Sequence, residues 1–211
     1  MATVRQGGEP SLPGGSAGLP AVIFDVDGVL VDSPHERAWQ ESLATLMAGP
    51  WSGFVGETTY APDRFTSEVY QTRLSGKPRM SGARSVLEYF GVPDVERHVG
   101  EYADYKQAQI ESLIDAGEFV AYADALRFVS ALKAHKVPLA AASSSKNANR
   151  FMVQIHLDDD GTLLDVFDAN VCGRDLKHGK PHPEIFLLAA EALGMPPERC
   201  IVVEDAAAGI A

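Results

Sequence analysis

Short apolar runs that alternate with helical patterns constrain the fold of this chain more than any other feature. Apolar residues fill positions 22–24, 137–142 and 200–203, and segments such as "DALRFVSALKAHK" and "PEIFLLAAEALG" lie between them. Strands that alternate with helices of about a dozen residues are typical of a parallel, doubly wound sheet with helices on both faces. The sequence therefore predicts an α/β fold.

A long helical segment interrupts this alternation after the first strand. Apolar side chains recur there at helical spacing and a Gly-Pro stop follows them: Trp39, Leu43, Leu46 and Met47, then Gly49-Pro50. The pattern stays helical and polar to about residue 118, without a convincing strand. We therefore expect a helical cap domain over residues 34–118, inserted into a discontinuous core domain built from residues 21–33 and 119–211.

The bulk composition excludes several classes of function. The net charge is −11 and the pI is about 4.9, so the field of the protein repels nucleic acid and anionic membranes. No stretch approaches the roughly 18–20 apolar residues that a membrane span needs. Residues 1–20 are rich in Gly, Pro and Ser and lack the apolar middle of a signal peptide, which predicts a disordered tail on a cytoplasmic protein. Cys172 and Cys200 lie beside apolar runs and are expected to be buried, reduced thiols.

Polar residues follow each apolar run, and parallel strands bring their carboxyl ends to one edge of a sheet. Asp25 and Asp27 follow the first run, and Glu204-Asp205 follow the last. A carboxylate can attack phosphorus, a second one can transfer protons, and Mg²⁺ takes oxygen ligands of this kind. The alternative is that Asp25 and Asp27 cap a turn before Gly28 and that Glu204-Asp205 cap a helix.

Two further polar positions fit the same edge. Ser143 is expected to open a helix, where its hydroxyl and nearby N–H groups can hold a phosphate; plain helix capping is the alternative. Lys180 lies between stiffening prolines just before a helix, and a fixed cation there can balance the charge of Asp25 and a phosphoryl group. A lone lysine is otherwise usually just solvated.

The joint occurrence of "DVDGVLVDS", "ASSSKN", "GKPHPEIF" and "VVEDAAAGI" resembles the four motifs of the haloacid dehalogenase superfamily, and the whole pattern is similar to its beta-phosphoglucomutase-like branch. The resemblance implies that Asp25 is the nucleophile and Asp27 the general acid and base. It implies that Ser143 and Lys180 bind the phosphoryl group. The implied Mg²⁺ ligands are Asp25, the backbone carbonyl of Asp27, Glu204 and Asp205.

The branch implies further site residues. Ser145, Lys146 and Asn147 match positions that hold a second, non-transferring phosphate, and His35 matches a histidine at the cap hinge, although its spacing from Asp27 is shorter than in that branch. A surface position on a helix is the alternative for His35. "LSGKPRMSGAR" resembles a substrate-facing cap segment, so Lys77 and Arg79 are expected to contact sugar or phosphate; a solvated cationic loop is the alternative.

These features predict a Mg²⁺-dependent phosphosugar mutase that interconverts beta-glucose 1-phosphate and glucose 6-phosphate through an aspartyl phosphate and glucose 1,6-bisphosphate. A phosphatase that uses the same residues is the alternative, and a non-catalytic sensor of phosphorylated metabolites is a third interpretation. The expected partner is a small phosphosugar, with no nucleic acid and no membrane, and the expected state is a monomer. Relatives usually continue past the last motif with another strand and helix, which implies either a fragment, with the core truncated at its C-terminal end, or a sheet with an exposed edge.

Overall fold

The computed structural model describes residues 19–157 and 161–210. The strands are β1 (Ala21–Phe24), β2 (Val31–Asp32), β3 (Val120–Ala121), β4 (Leu139–Ala141), β5 (Ala169–Asn170) and β6 (Cys200–Val203). The helices are α1 (His35–Ala48), α2 (Ser67–Arg73), α3 (Arg79–Tyr89), α4 (Val95–Asp115), α5 (Ala123–Ala134), α6 (Ala148–Met152), α7 (Leu163–Val166), α8 (Glu184–Ala192) and α9 (Ala207–Ile210), with short 3-10 turns at Val55–Glu57, Pro62–Arg64 and Pro197–Arg199. The disordered tail predicted at 1–20 lies outside the described residues, apart from Leu19 and Pro20.

The core is a parallel sheet with helices on both faces, which confirms the predicted α/β fold. Among the described residues the strand order is β5-β4-β1-β6, and Val22 is in register with both Leu139 and Ile201. All four residues of β1 are buried. Because β1 lies between β4 and β6, the residues that follow it emerge at the centre of the sheet edge.

Side-chain alternation along β1 divides the core into two apolar layers. Val22 and Phe24 pack with Val129 of α5 on one face, whereas Ile23 packs with Ile185 of α8 on the other. Successive strand residues point to opposite faces, so both faces of this strand are apolar. This double burial explains why the run 22–24 does not alternate with polar residues.

Helices α1 to α4 form a separate layer that we call the cap. Its apolar cluster contains the four side chains with helical spacing in α1, which ends at Ala48 before the predicted Gly-Pro stop. The chain enters and leaves the cap through β2 and β3, which pair antiparallel, with Val31 opposite Ala121. A two-residue ladder carries no recognisable sequence pattern, and sequence reasoning did not predict it.

Helix α4 joins the cap to the core. Val99, Tyr102 and Ala103 in its first half belong to the apolar cluster of the cap, whereas Ile110 and Ile114 in its second half belong to the core cluster. Residues 106 and 107 therefore lie where the helix crosses from one layer to the other. No helix among the described residues has both the length and the apolar character to cross a bilayer.

The two cysteines are free thiols, but the expectation that both are buried is wrong. Cys172 and Cys200 are each only partly buried. The reason is their place in the sheet, because Cys200 begins β6 and Cys172 follows β5, and these are the two outer strands of the described sheet.

Candidate active site

A cavity of about 990 Å³ lies between the carboxyl ends of the strands and the cap. Its core wall carries Asp25, Asp27, Ser143, Ser145, Lys146, Asn147, Lys180 and Asp205, and its cap wall carries His35, Lys77 and Arg79. Nearly all the residues singled out in the sequence thus lie on one cavity. Glu204, the exception, lies directly behind this wall against Lys180.

A buried cation between two carboxylates forms the deepest part of the site. Nζ of Lys180 lies 2.9 Å from Oδ2 of Asp25 and 2.5 Å from Oε2 of Glu204. Asp25 is 6% exposed, and this burial raises its pKa to about 7, against the lowering effect of Lys180 and with a further contribution from Glu204. Burial alone would lower the pKa of Lys180, but Asp25 and Glu204 outweigh it and raise that pKa. The lysine is therefore a fixed positive charge beside Asp25.

The acidic residues fit a magnesium ion. Oxygen atoms of Asp25, Glu204 and Asp205 all lie within 4.8 Å of one another, and Oδ1 of Asp25 is buried without a hydrogen-bond partner among the described residues. Burial and the neighbouring Glu204 raise the pKa of Asp205. A cluster of carboxylate oxygens is the ligand type that Mg²⁺ prefers. The side chain of Asp27 is not part of this cluster.

Gly28 allows Asp205 to approach the turn after β1. Its φ is +81°, and a Cβ atom at this position would lie 2.2 Å from Oδ2 of Asp205. Only glycine adopts this conformation readily, and only glycine leaves room for the carboxylate. The motif that contains Asp25 and Asp27 and the motif that contains Asp205 therefore come into close contact at Gly28, which has no side chain.

Asp27 belongs to a second chain of polar contacts. Nε2 of His35 lies 3.3 Å from Oδ1 of Asp27 and 3.3 Å from Oγ of Ser145, and Nζ of Lys106 lies 2.9 Å from Nδ1 of His35. His35 begins α1, and only 12% of its side chain is exposed, so the surface interpretation is wrong. The histidine connects the cap lysine to the carboxylate next to the sheet.

The neighbouring charges determine the protonation states of His35 and Asp27. Burial and the charge of Lys106 lower the pKa of His35. Lysine is a donor only, so Nδ1 accepts from Lys106 and the proton of the neutral ring lies on Nε2, facing Asp27. Burial alone would raise the pKa of Asp27, but His35 outweighs burial and lowers it. Asp27 is therefore ionised at neutral pH.

The serine segment after β4 does not begin a helix at Ser143, so that prediction is wrong. Oγ of Ser143 accepts a hydrogen bond from the N–H of Ser145 at 3.2 Å, and Oγ of Ser145 accepts one from the N–H of Asn147 at 3.2 Å. These side-chain turns replace helical bonds, and α6 begins only at Ala148. Ser143 also donates to Oδ2 of Asp27 at 3.4 Å.

The remaining cations lie on the rim of the cavity, away from Asp25. Lys146 pairs with Asp175 at 2.8 Å, and Lys77 donates to the carbonyl oxygen of Thr72 at 3.1 Å. Arg79 donates to Oε1 of Gln107 at 3.0 Å. The structure thus gives each of them a protein partner, and none contacts the buried centre directly.

Sequence reasoning missed Lys106 and Gln107. The buried residues of α4 include Val99, Tyr102, Lys106 and Ile110, so a charged residue occupies the apolar face of an amphipathic helix. A lysine at such a position is rarely buried without a partner. That irregularity was the available signal for Lys106, and Gln107 gave none.

Comparison with known proteins shows the family of this chain. A family model described as haloacid dehalogenase-like hydrolase matches residues 19–211. A phosphorylated carbohydrates phosphatase of Thermotoga maritima is 31% identical over 193 residues, which are 91% of this chain and 79% of that protein. A beta-phosphoglucomutase of Bacillus subtilis is 32% identical over 200 residues, which cover 91% of this chain and 77% of that protein.

A solved structure has the same fold. The beta-phosphoglucomutase of Clostridium difficile superposes with a TM-score of 0.71 at 27% identity, covering 92% of this chain and 79% of that chain. The protein is therefore an enzyme with an α/β fold and an acidic centre at the edge of its parallel sheet. The chain belongs to the haloacid dehalogenase superfamily and, within it, to the beta-phosphoglucomutase-like branch.

Proposed function

We propose that this protein is a Mg²⁺-dependent phosphosugar mutase that interconverts beta-glucose 1-phosphate and glucose 6-phosphate. The observation that carries the proposal is that one cavity is lined by two groups of residues that suit an anion. Lys180 lies beside Asp25, and Ser145, Lys146, Asn147 and Arg79, which also line the cavity, offer hydrogen-bond donors and positive charge. A sugar bisphosphate has an anion at each end, and such a cavity suits it.

Asp25 and Asp27 divide the proposed reaction between them. From the phosphorylated enzyme, ionised Asp27 takes the proton of the attacking sugar hydroxyl as the hydroxyl oxygen bonds to phosphorus and the acyl phosphate breaks, which frees Asp25. In the return half, an oxygen of Asp25 attacks the phosphorus at the other end of the bisphosphate, the bond from phosphorus to the sugar oxygen breaks, and Asp27 gives its proton to that leaving oxygen. The ionised state of Asp27 suits the first of these halves, because that step begins with proton acceptance.

The fixed charges assist the approach of two anions. Lys180 offsets the charge of Asp25 and of the incoming phosphoryl group in the buried end of the cavity. Asp25, Glu204 and Asp205, with the carbonyl of Asp27, would hold the Mg²⁺, which supplies further positive charge for phosphoryl transfer when bound. Ser143 would donate its hydroxyl to the same phosphoryl group.

Cap contacts support the exclusion of water that a mutase requires. Gly76 packs against Ala208, where an added Cβ would lie 3.3 Å from the alanine Cβ, and Gly179 packs as closely against Pro78. Both contacts join the cap to the core near Lys180 and Asp205. We propose the boundaries 34–118 for this cap domain, with 21–33 and 119–211 as the core.

A phosphatase is the second candidate, since the phosphatase of Thermotoga maritima has a similar identity to this chain. The same residues would form the aspartyl phosphate, and water would then replace the sugar as the acceptor. The two functions differ only in which acceptor reaches the acyl phosphate. A product measurement separates them directly.

Phosphorus-31 NMR of beta-glucose 1-phosphate, with Mg²⁺ and a trace of glucose 1,6-bisphosphate, tests the proposal. Formation of glucose 6-phosphate without inorganic phosphate supports the mutase, whereas accumulation of inorganic phosphate supports the phosphatase. Asp25→Ala should abolish both, and Asp63→Asn, which changes an exposed carboxylate away from the cavity, should retain the wild-type rate. Unchanged substrate contradicts the proposed mutase reaction and means that the substrate is another phosphoester, which a panel of sugar phosphates would identify.

A further inference from the structure

Gln107 lies between the cap and the core and contacts both. Its Oε1 accepts a hydrogen bond from Nη1 of Arg79 at 3.0 Å. Its Nε2 donates to Oε1 of Glu111 at 2.6 Å and to Oδ1 of Asn147 at 3.1 Å. The amide therefore connects a cap arginine, a carboxylate of its own helix and an asparagine of the core.

The partners of Gln107 fix which end of its amide faces which group. A guanidinium can only donate, so it requires the oxygen of Gln107, and a carboxylate can only accept when it is ionised, so Glu111 requires the nitrogen. Reversing the amide would place nitrogen against Arg79 and oxygen against Glu111, which loses two charge-assisted hydrogen bonds. The orientation of Gln107 is thus set by chemistry on both sides.

The orientation of the Gln107 amide determines the orientation of the Asn147 amide. Because Gln107 presents N–H to Asn147, it is the oxygen of Asn147 that must face Gln107. Among the described residues the Nδ2 group of Asn147 has no hydrogen-bond partner, and Asn147 lines the cavity together with Lys146 and Arg79. Two N–H donors of Asn147 are left for a ligand, and a phosphate, which only accepts when fully ionised, needs donors.

We propose that Gln107 is a positioning residue that holds Asn147 with its donors toward the second phosphate of a bisphosphorylated sugar. This inference rests on the proposed function. It explains how one of the two proposed phosphate sites presents hydrogen-bond donors, rather than acceptors, to the phosphate. Gln107 contacts no reacting atom itself. It acts through Asn147, and it does so where α4 crosses from the cap to the core.

Gln107→Glu tests the inference, because a carboxylate of nearly the same shape accepts from Asn147 rather than donating to it. Asn147 should then turn its Nδ2 toward residue 107 and present oxygen to the phosphate. Binding of glucose 1,6-bisphosphate is measured by calorimetry with Mg²⁺ in the full chain carrying Asp25→Asn, which prevents phosphoryl transfer. The dissociation constant should rise about tenfold or more, which corresponds to about 1.4 kcal/mol.

Two comparisons separate amide reversal from a general effect of added charge. Gln109→Glu places the same substitution on the same helix, next to Glu41, which accepts from Gln109 at 2.6 Å, and should leave the dissociation constant within about twofold. In an Asn147→Ala background, Gln107→Glu should have little further effect, because there is no amide left to reverse. Thermal melting of each variant checks that the fold is intact.

Each outcome is decisive. An unchanged dissociation constant for Gln107→Glu overturns the inference alone. An equal loss with and without Asn147 also overturns it, since the effect is then only repulsion of the anion. Absence of bisphosphate binding by the reference protein overturns both the inference and the proposed function, whereas phosphate release in the NMR assay refutes the mutase and leaves the binding result valid.

Discussion

Nζ of Lys106 lies 2.9 Å from Nδ1 of His35 in the buried interior beneath the cap. Lys106 is 5% exposed, and burial lowers its pKa to about 8, with a further lowering by Arg79 and an opposing effect of Asp27. The pair keeps the imidazole proton on Nε2, toward Asp27. The lysine therefore affects Asp27 without contacting it.

Lys106→Met should change the pH dependence of stability. The pKa of Lys106 is lower in the folded protein than in the unfolded chain, so between pH 8 and 10.5 the unfolded chain binds more protons and wild-type stability rises with pH. The wild-type free energy of unfolding should gain on the order of 2–3 kcal/mol relative to Lys106→Met over this range. Urea unfolding of both proteins at pH 7.5 and 10 measures the difference in their free energies of unfolding. The titration of groups that both proteins share cancels in this difference.

An exposed lysine provides the control for that experiment. Lys177→Met removes the same charge from an exposed position, and its stability should stay within about 0.5 kcal/mol of wild type at both pH 7.5 and pH 10. Equal pH dependence in the two variants would show that Lys106 is not held in its buried position.

Gly28→Ala should strongly reduce activity by displacing Asp205. The new Cβ would need the place that Oδ2 of Asp205 occupies, at 2.2 Å, and the carboxylate must move. A displacement of about 1 Å at a catalytic group can reduce the rate about 100-fold. We expect such a loss in kcat, measured in the NMR assay.

Gly91→Ala separates this effect from backbone strain. Gly91 has a φ of +67°, but an added Cβ would have nothing within 4 Å. Both variants should lose about 1–2 kcal/mol of stability from the left-handed conformation, and only Gly28→Ala should lose activity. Similar kinetics for the two would contradict the close approach of Asp205 to the turn.

The sequence was sufficient to predict the elements whose pattern is local. The run 22–24 is apolar on both sheet faces, and α1 repeats Leu43 and Met47 at helical spacing. Strand ends in a parallel sheet share one edge, so the order of the strands and helices along the chain was enough to predict which residues meet there. The contacts of Lys180 with Asp25 also followed, because both lie just beyond strand ends or before a helix. These features depend on periodicity and topology, which a single sequence records.

The rest depends on contacts between distant residues. Ser143 was expected to begin a helix because serine often caps one, but serine also closes side-chain turns with the N–H two residues on, and here the turns prevail. Gln107 gives no sequence signal, since its importance comes from Arg79 and Asn147, which are brought together only by folding. Cys200 is only partly buried because β6 is an outer strand of the described sheet, and strand order cannot be read from an apolar run.

Mg²⁺ should stabilise the folded protein through Asp205. Binding at about 100 times the dissociation constant adds about 2.7 kcal/mol, which thermal melting against Mg²⁺ concentration detects. Asp205→Asn removes one ligand charge and should need at least about tenfold more Mg²⁺ for the same shift. Asp63→Asn, an exposed position away from the cavity, should behave as wild type.

The same titration should depend on pH. Burial holds the pKa of Asp25 at about 7 in the metal-free protein, so the ion must displace a proton from this ligand as the pH falls below 7. The Mg²⁺ concentration at half-shift should therefore increase from pH 8 to pH 6. A half-shift independent of pH would indicate that Asp25 is not a ligand.

Asp168→Asn should destabilise the sheet without affecting the site. Oδ2 of Asp168 accepts from the N–H of Leu139 at 2.9 Å, at the start of β4, and Oδ1 accepts from Nζ of Lys133 at 2.7 Å. Burial alone would raise the pKa of Asp168, but these two donors outweigh it and lower the pKa. We expect a loss of about 1 kcal/mol at pH 7.

The pH dependence of this loss identifies its cause. An acid whose pKa is lowered in the fold contributes stability above its unfolded pKa of 3.8, and that contribution disappears as the pH falls through the lower folded value. The difference between wild type and Asp168→Asn in urea unfolding should thus be full at pH 7 and decrease as the pH falls below 3.8. Lys133→Met removes only the half-exposed ion pair and should reduce stability by less than half as much, because the bond to Leu139 remains. If Lys133→Met instead equals Asp168→Asn at pH 7, the backbone contact with Leu139 contributes nothing.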